Sequence, residues 1–273
     1  MILERPSSLA SYAQELLSRG RIVFSREDAM QALGVSHGAF LDAAERLQRR
    51  RHLISPRRGF YVVVPPQFLN WGAPPPPWYI DDLMRHAGQP YYVALLKAAE
   101  LHGASHQAVM EFQVVTDKQM PPTKAGRSVI AYYYRKDMDA VSAGIEERKT
   151  DTGRMHVSSP ELTALDLIRY PRAGGGLDNI ATVLNELGER LDAGRLADLA
   201  AAFERSVLQR LGYLLERVGR PNVAAGLHEQ VSDTASWVEL DPAEAADPDF
   251  APEPVERNRR WHVIARRTPE VDE

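Results

Sequence analysis

The sequence predicts an α+β fold in two parts, a small N-terminal part and a larger mixed α/β part. Three observations lead there. Apolar residues recur at helical spacing in some segments and in short strand-like runs in others. Prolines cluster at Pro65-Pro66 and from Pro74 to Pro77, and such a run favours extended polyproline II and cannot continue a helix. Charge divides at the same place. Residues 1–64 hold ten arginines, no lysine and six acids, a net +4, whereas the remainder holds 23 basic and 31 acidic side chains, a net −8. The expected organisation is residues 1–64, a Pro-rich linker over 65–80, and a second domain over 81–273.

The first segment is read element by element. Ser7 or Ser8 can cap a helix carrying Leu9, Tyr12, Ala13, Leu16 and Leu17 on one face, and Gly20 ends it. Ile22 to Phe24 form a short strand. Ser25, followed by Glu27 and Asp28, starts a helix through Leu33, and Gly34 makes the turn. Ser36 caps a third helix with Phe40, Ala43, Ala44 and Leu47 inward. Leu53-Ile54 and Phe60 to Val64 then flank a Ser55–Gly59 turn, a β-hairpin pattern. Helix, strand, helix, turn, helix, hairpin is the order of a winged helix-turn-helix.

The remainder mixes both element types. Helices are expected over Asp81–Ala87, Val93–Leu101, from Pro160 through Arg169, and over Asn179–Glu189, Ala193–Leu211 and Leu211–Val218. Strands are expected over Glu111–Thr116, Ser128–Tyr134 and Trp261–Ala265, runs rich in Val, Phe, Ile and Tyr. Asp241–Pro254, with four prolines among acids and alanines, reads as a surface excursion.

A winged helix places its third helix in the major groove of DNA and its wing along the backbone or minor groove. The candidate DNA contacts are therefore Ser36 and His37 at the start of that helix, Arg46, Arg49 and Arg50 towards its end, with Arg51 following, and Arg57 and Arg58 in the hairpin. Arginine holds phosphate bidentately and reads guanine. Free amides of a first helical turn also take a phosphate. Cations at a helix C-terminus are favoured by the dipole whatever the function. Asp42 and Glu45 fall on the outer face of the same helix, where they would repel phosphates. They either accept from cytosine, or pair with Arg46 and Arg49 one turn on, or the helix docks by its N-terminal end through His37, Gly38 and Leu41. A protein-docking module is the alternative that those carboxylates favour.

Composition excludes other classes. With no cysteine, disulfide frameworks and thiolate metal sites are out. No stretch approaches the ~20 apolar residues of a membrane span, and the N-terminus lacks the apolar core of a secretory signal. A cytoplasmic location is expected. His102 and His106 have metal-ligand spacing, but Gly103 breaks the helical face and no third ligand follows. Gly174 to Gly176 precede a helix, as a phosphate loop would, yet no Lys-Ser/Thr follows. No nucleophile motif is present, so neither an enzyme nor a cofactor or metal is expected. An enzyme acting on a nucleotide or phosphorylated substrate through the glycine loop and His102 stays as the remaining alternative.

Several motifs occur in a telling order. They are Tyr91-Tyr92-Val93-Ala94-Leu95-Leu96, Glu100-Leu101-His102-Gly103-Ala104 with Gln107, and Phe112-Gln113-Val114-Val115-Thr116. Then follow Val157-Ser158-Ser159-Pro160-Glu161-Leu162-Thr163-Ala164-Leu165-Asp166-Leu167, Tyr170-Pro171-Arg172 with Gly174-Gly175-Gly176-Leu177, and Gln209-Arg210-Leu211-Gly212-Tyr213-Leu214-Leu215. In this order the chain resembles the AbiEi-type antitoxins and transcriptional regulators of type IV toxin–antitoxin systems, over roughly residues 5–265. Lys97-Ala98-Ala99 departs from the usual small or hydroxyl residues. The resemblance implies a winged helix joined to a C-terminal α/β antitoxin domain. It implies repression of the chain's own promoter through inverted repeats. It also implies a nucleotidyltransferase-like toxin of the AbiEii kind, encoded alongside and countered in many members without a stable complex, in abortive-infection defence against phage. His102, Gln107 and Arg172 are the polar positions of the pattern offered for antitoxicity, whereas Glu161 and Asp166 read equally as helix and core support.

Overall fold

The computed structural model describes residues 6–104, 110–231, 234–245 and 251–271. The chain divides into two units by its internal contacts. The first takes Met1–Tyr92, Met110–Lys136 and Glu147–His156, and the second takes Val93–Val109, Asp137–Glu146 and Val157–Glu273. This grouping differs from a cut at residues 65–80, because strands distant in sequence pair with one another.

The first unit begins with α1 (Leu9–Ser18), β1 (Val23–Ser25), α2 (Arg26–Leu33), α3 (His37–Arg49), β2 (Leu53–Arg57) and β3 (Phe60–Val63). Local chemistry sets each boundary. Ser8 caps α1 in a reciprocal box with Ser11, Ser25 accepts from the Asp28 amide to cap α2, and Ser36 accepts from the Ala39 amide to cap α3. Gly34 closes α2 in the left-handed conformation, φ 65°, which costs glycine nothing. The three strands form a sheet in the order β1-β3-β2. Pro56 is tolerated because β2 is the edge strand, and a register shift falls between Ile54 and Arg57. Leu9, Leu16, Phe24, Phe40, Leu47 and Val63 meet in one apolar cluster around Tyr61. The Tyr61 ring stacks on Phe24 at 5.4 Å and meets Phe40 edge-on at 5.2 Å.

Residues 65–80 are not an extended linker. Two 3-10 turns, Pro66–Phe68 and Pro76–Trp78, start on proline, whose fixed φ suits a first helical position. Pro65, Ala73, Pro74 and Pro76 are buried. The Trp78 Nε1 donates to Asp151 Oδ2 at 2.8 Å, and Thr152 Oγ1 donates to the Trp78 carbonyl at 2.6 Å. After α4 (Ile80–Ala87), a second sheet is built from β4 (Tyr91–Val93), β5 (Glu111–Thr116), β6 (Thr123–Ala125), β7 (Ser128–Tyr134), β8 (Ile145–Lys149) and β9 (Arg154–Ser158), in the order β6-β7-β5-β4-β9-β8. Most of its residues fall in the first unit. β5 and β7 run parallel and β6 antiparallel to β7. Val93, expected to open a helix, is instead the last residue of β4, and the helix begins at Leu95.

The second unit is largely helical: α5 (Leu95–Leu101), α6 (Pro160–Arg169), α7 (Leu177–Leu187), α8 (Ala193–Ala200), α9 (Arg205–Arg217) and α10 (Pro221–His228). A small sheet of β10 (Val238–Glu239), β11 (Glu256–Asn258) and β12 (Val263–Ala265) has the order β10-β12-β11. α6 is the central helix and is buried from Glu161 to Ile168. The single helix expected over Ala193–Leu211 is broken at Ala201–Glu204. The Ala202 and Phe203 amides close α8 with tight turns. Arg169 then holds the corner, lying over the Phe203 ring and 2.9 Å from Glu204. Among the described residues no helix is long and apolar enough to cross a membrane.

Candidate functional site

α3 presents one buried and one exposed face. Phe40, Ala44 and Leu47 point into the core, while Ser36, His37, Gly38, Leu41, Asp42, Glu45, Arg46, Arg49 and Arg50 are exposed. Glu45 and Arg49 form an i,i+4 ion pair at 2.6 Å, which neutralises one of the two outward carboxylates. Arg46, Arg50 and Arg58 make no ion pair among the described residues and are exposed to solvent. With Arg51, likewise exposed and without an ion pair among the described residues, they form the uncompensated positive charge of this surface.

Arg51 follows the helix with φ 60°. Its amide bonds to the Gln48 carbonyl and that of His52 to the Leu47 carbonyl, both at 2.9 Å. This is the left-handed C-terminal cap usually given to glycine. A side chain there carries strain of roughly 1–2 kcal/mol. Arg51→Gly is expected to raise unfolding free energy by about 1 kcal/mol, net of glycine's entropy in the unfolded chain, as read by a urea midpoint. An unchanged or lowered midpoint would mean the cap is not strained.

The hairpin differs from the expected wing in one respect. Arg57 is the last residue of β2 rather than part of an exposed tip. It is half-buried, with Nη1 4.0 Å from Met120 Sδ, because β2 packs against β6. The turn is Arg58-Gly59, with Gly59 at φ 82°. His86 of α4 lies beneath it, its Nε2 3.2 Å from the Arg58 carbonyl and its ring 5.4 Å from Phe60. Arg58 is therefore the hairpin cation left facing solvent.

Arg26 joins this surface although nothing in its local sequence marks it. Its amide donates to the Gly59 carbonyl at 2.9 Å, which brings the start of α2 beside the hairpin turn. Its Nη1 lies 3.3 Å from His37 Nε2. The guanidinium also hydrogen-bonds Glu27, and that bond holds the Glu27 carboxyl below its usual range. Since arginine only donates, His37 accepts at Nε2 and carries its proton on Nδ1. The exposed imidazole thus offers a donor beside the open amides of α3.

The polar positions of the second unit are placed differently. His102 donates from Nε2 to the Ser158 carbonyl at 2.7 Å, tying α5 to the segment before α6. Gln107 and His106 lie outside the described residues. Arg172 is exposed. Glu161 is buried and accepts from Ser159 Oγ at 2.7 Å and from the Asp192 amide at 3.0 Å, so it supports the core. In the glycine loop, Asn179 Nδ2 donates to the Gly174 carbonyl at 2.7 Å. A Cβ on Gly174 would lie 2.7 Å from Ile180 Cγ1, so close packing accounts for that glycine. Among the described residues no group of three His, Asp or Glu side chains could hold a metal ion.

The chain is similar in fold to the crystal structure of the RV2827C protein from Mycobacterium tuberculosis, with a TM-score of 0.68 at 19% identity, over 93% of this chain and 89% of that one. No curated protein sequence matches it. A family model, the AbiEi antitoxin C-terminal domain, matches residues 92–217, a span that runs from the motif beginning Tyr91-Tyr92-Val93 to the end of α9. Residues 92–217 are thus similar to the C-terminal domain of AbiEi-type antitoxins.

Proposed function

We propose that this protein is the antitoxin of a two-gene toxin–antitoxin system and represses its own promoter through a winged helix-turn-helix at residues 1–64. The antitoxin reading rests on the domain match over residues 92–217. The DNA reading rests on the unpaired exposed cations Arg46, Arg50 and Arg58, placed at the end of α3 and on the hairpin turn. Phosphates anchor to these arginines, while Ser36, His37 and the first amides of α3 approach base edges. Two copies on inverted half-sites would raise a weak single-site affinity through effective concentration. The toxin is a nucleotidyltransferase-like protein of the AbiEii kind from the adjacent gene, countered in the cytoplasm in the course of phage defence.

Co-expression tests the antitoxin reading. The adjacent nucleotidyltransferase-like product alone should arrest growth, and adding this chain should restore it; continued arrest with the chain present in soluble form would defeat the reading. Asp42, exposed and unneutralised on α3, favours a second reading in which this surface docks a protein. A gel shift with the chain's own promoter at low salt separates the two. A shifted band supports repression, and none at micromolar protein supports docking.

A further inference from the structure

An apolar cavity of about 310 Å³ opens in the second unit between α6, α7 and α9. Ile168, Leu177, Ile180, Leu214 and Leu240 form its walls, and Arg172, Arg210 and Asp241 are its charged members. That is the lower end of ordinary ligand sites, room enough for a short aliphatic chain.

The charged members define what kind of ligand fits. Arg210 projects from α9 and is half-buried, and desolvation lowers its pKa from the usual value. Its Nε donates to the Glu239 carbonyl at 2.8 Å, which fixes the guanidinium plane. Guanidinium has four further N–H donors, and none of them has a hydrogen-bond partner among the described residues. Asp241 is partly spent, since its Oδ1 accepts from the Ala243 amide at 2.9 Å. With exposed Arg172 beside it, the cavity carries one net positive charge on otherwise apolar walls. A half-buried cation with open planar donors pairs best with a carboxylate, which it can hold bidentately.

We propose that this cavity binds a small amphipathic carboxylate, with the aliphatic chain against Ile180 and Leu214 and the carboxylate on Arg210 and Arg172. The proposed function assigns no ligand to this cavity, so the inference goes beyond that reading. Octanoate, with ten heavy atoms, is the probe. Calorimetry with the full chain should give saturable 1:1 binding and a raised melting temperature, and 1-octanol should bind at least tenfold more weakly, as expected for a lost charged hydrogen bond. Arg210→Gln should weaken octanoate at least tenfold. Ala243→Trp, at an exposed position on the rim, should block entry while leaving the core intact. This second variant decides the matter if Arg210→Gln does not fold. Absence of saturable octanoate binding, equal affinity for octanol, or unchanged binding in a folded Ala243→Trp variant would each overturn the assignment.

Discussion

Gly212→Ala is expected to destabilise the second unit markedly. Gly212 lies in the middle of α9, where alanine would ordinarily be favoured by about 1 kcal/mol. Here a Cβ would overlap the Trp261 ring. Trp261 is completely buried and is the largest such side chain in the chain, so the ring has no open direction in which to retreat. Its backbone is held as well: Gln209 Nε2, one turn before Gly212, donates to the Trp261 carbonyl at 3.0 Å and also reaches those of Ser236 and His262. The overlap therefore forces α9 and the small sheet apart. Overpacking a filled core costs about 1–3 kcal/mol, occasionally more, a sizeable share of the roughly 5–15 kcal/mol that holds an ordinary domain together. Urea unfolding followed by tryptophan fluorescence should show the loss. Gly38→Ala in α3 is the matched control, because nothing lies within 4 Å of where its Cβ would stand. It should be neutral or slightly stabilising. If the two alanine variants have the same midpoint, the Trp261 contact does not constrain α9.

The Gly212 case also separates what is legible in a sequence from what is not. The motif from Gln209 to Leu215 is visible as a string, but its reason is tertiary: Gln209 bonds carbonyls more than twenty residues away, Gly212 admits Trp261, and the Tyr213 hydroxyl donates to Glu256 at 2.9 Å. Elements fixed by local chemistry are legible. Ser8, Ser25 and Ser36 mark the starts of α1, α2 and α3, and Gly34 ends α2, because a cap is satisfied within three or four residues. Elements fixed by distant partners are not. Tyr91–Val93 is a strand through pairing such as Val93 with Val157. The break after α8 depends on Arg169, more than thirty residues earlier. The prolines of residues 65–80 mark a break in helical pattern correctly, but pattern does not tell whether such a segment is exposed or packed. At the candidate surface the Glu45–Arg49 pair follows from helical spacing, whereas the partial burial of Arg57 and the approach of Arg26 to His37 depend on how the hairpin lies.

Those last contacts change which arginines the proposed DNA binding rests on, and under that proposal Arg46, Arg50 and Arg58 together are expected to set its salt dependence. Each is exposed and has no acidic partner among the described residues, so each can neutralise one phosphate and release its counterion. A phosphate contact contributes about −0.9 to the slope of log affinity against log salt. Removing three by substitution with alanine should flatten the slope by about 2.7 per bound copy. Between about 50 and 200 mM salt, the unmodified protein should then lose roughly 40-fold more affinity than the triple variant. Arg57→Ala should leave the slope nearly unchanged, because that side chain is half-buried beside Met120. Glu45→Gln should steepen it by about 0.9 by releasing Arg49 from its 2.6 Å pair. None of these changes touches the apolar cluster around Tyr61, so melting temperature should stay within a few degrees and growth protection by the antitoxin domain should persist. Affinities measured on promoter DNA across the salt range give the slopes. A triple variant with the unmodified slope would show that α3 and the hairpin do not hold phosphate, whereas a flattened slope with growth protection intact would separate DNA binding from antitoxicity within one chain.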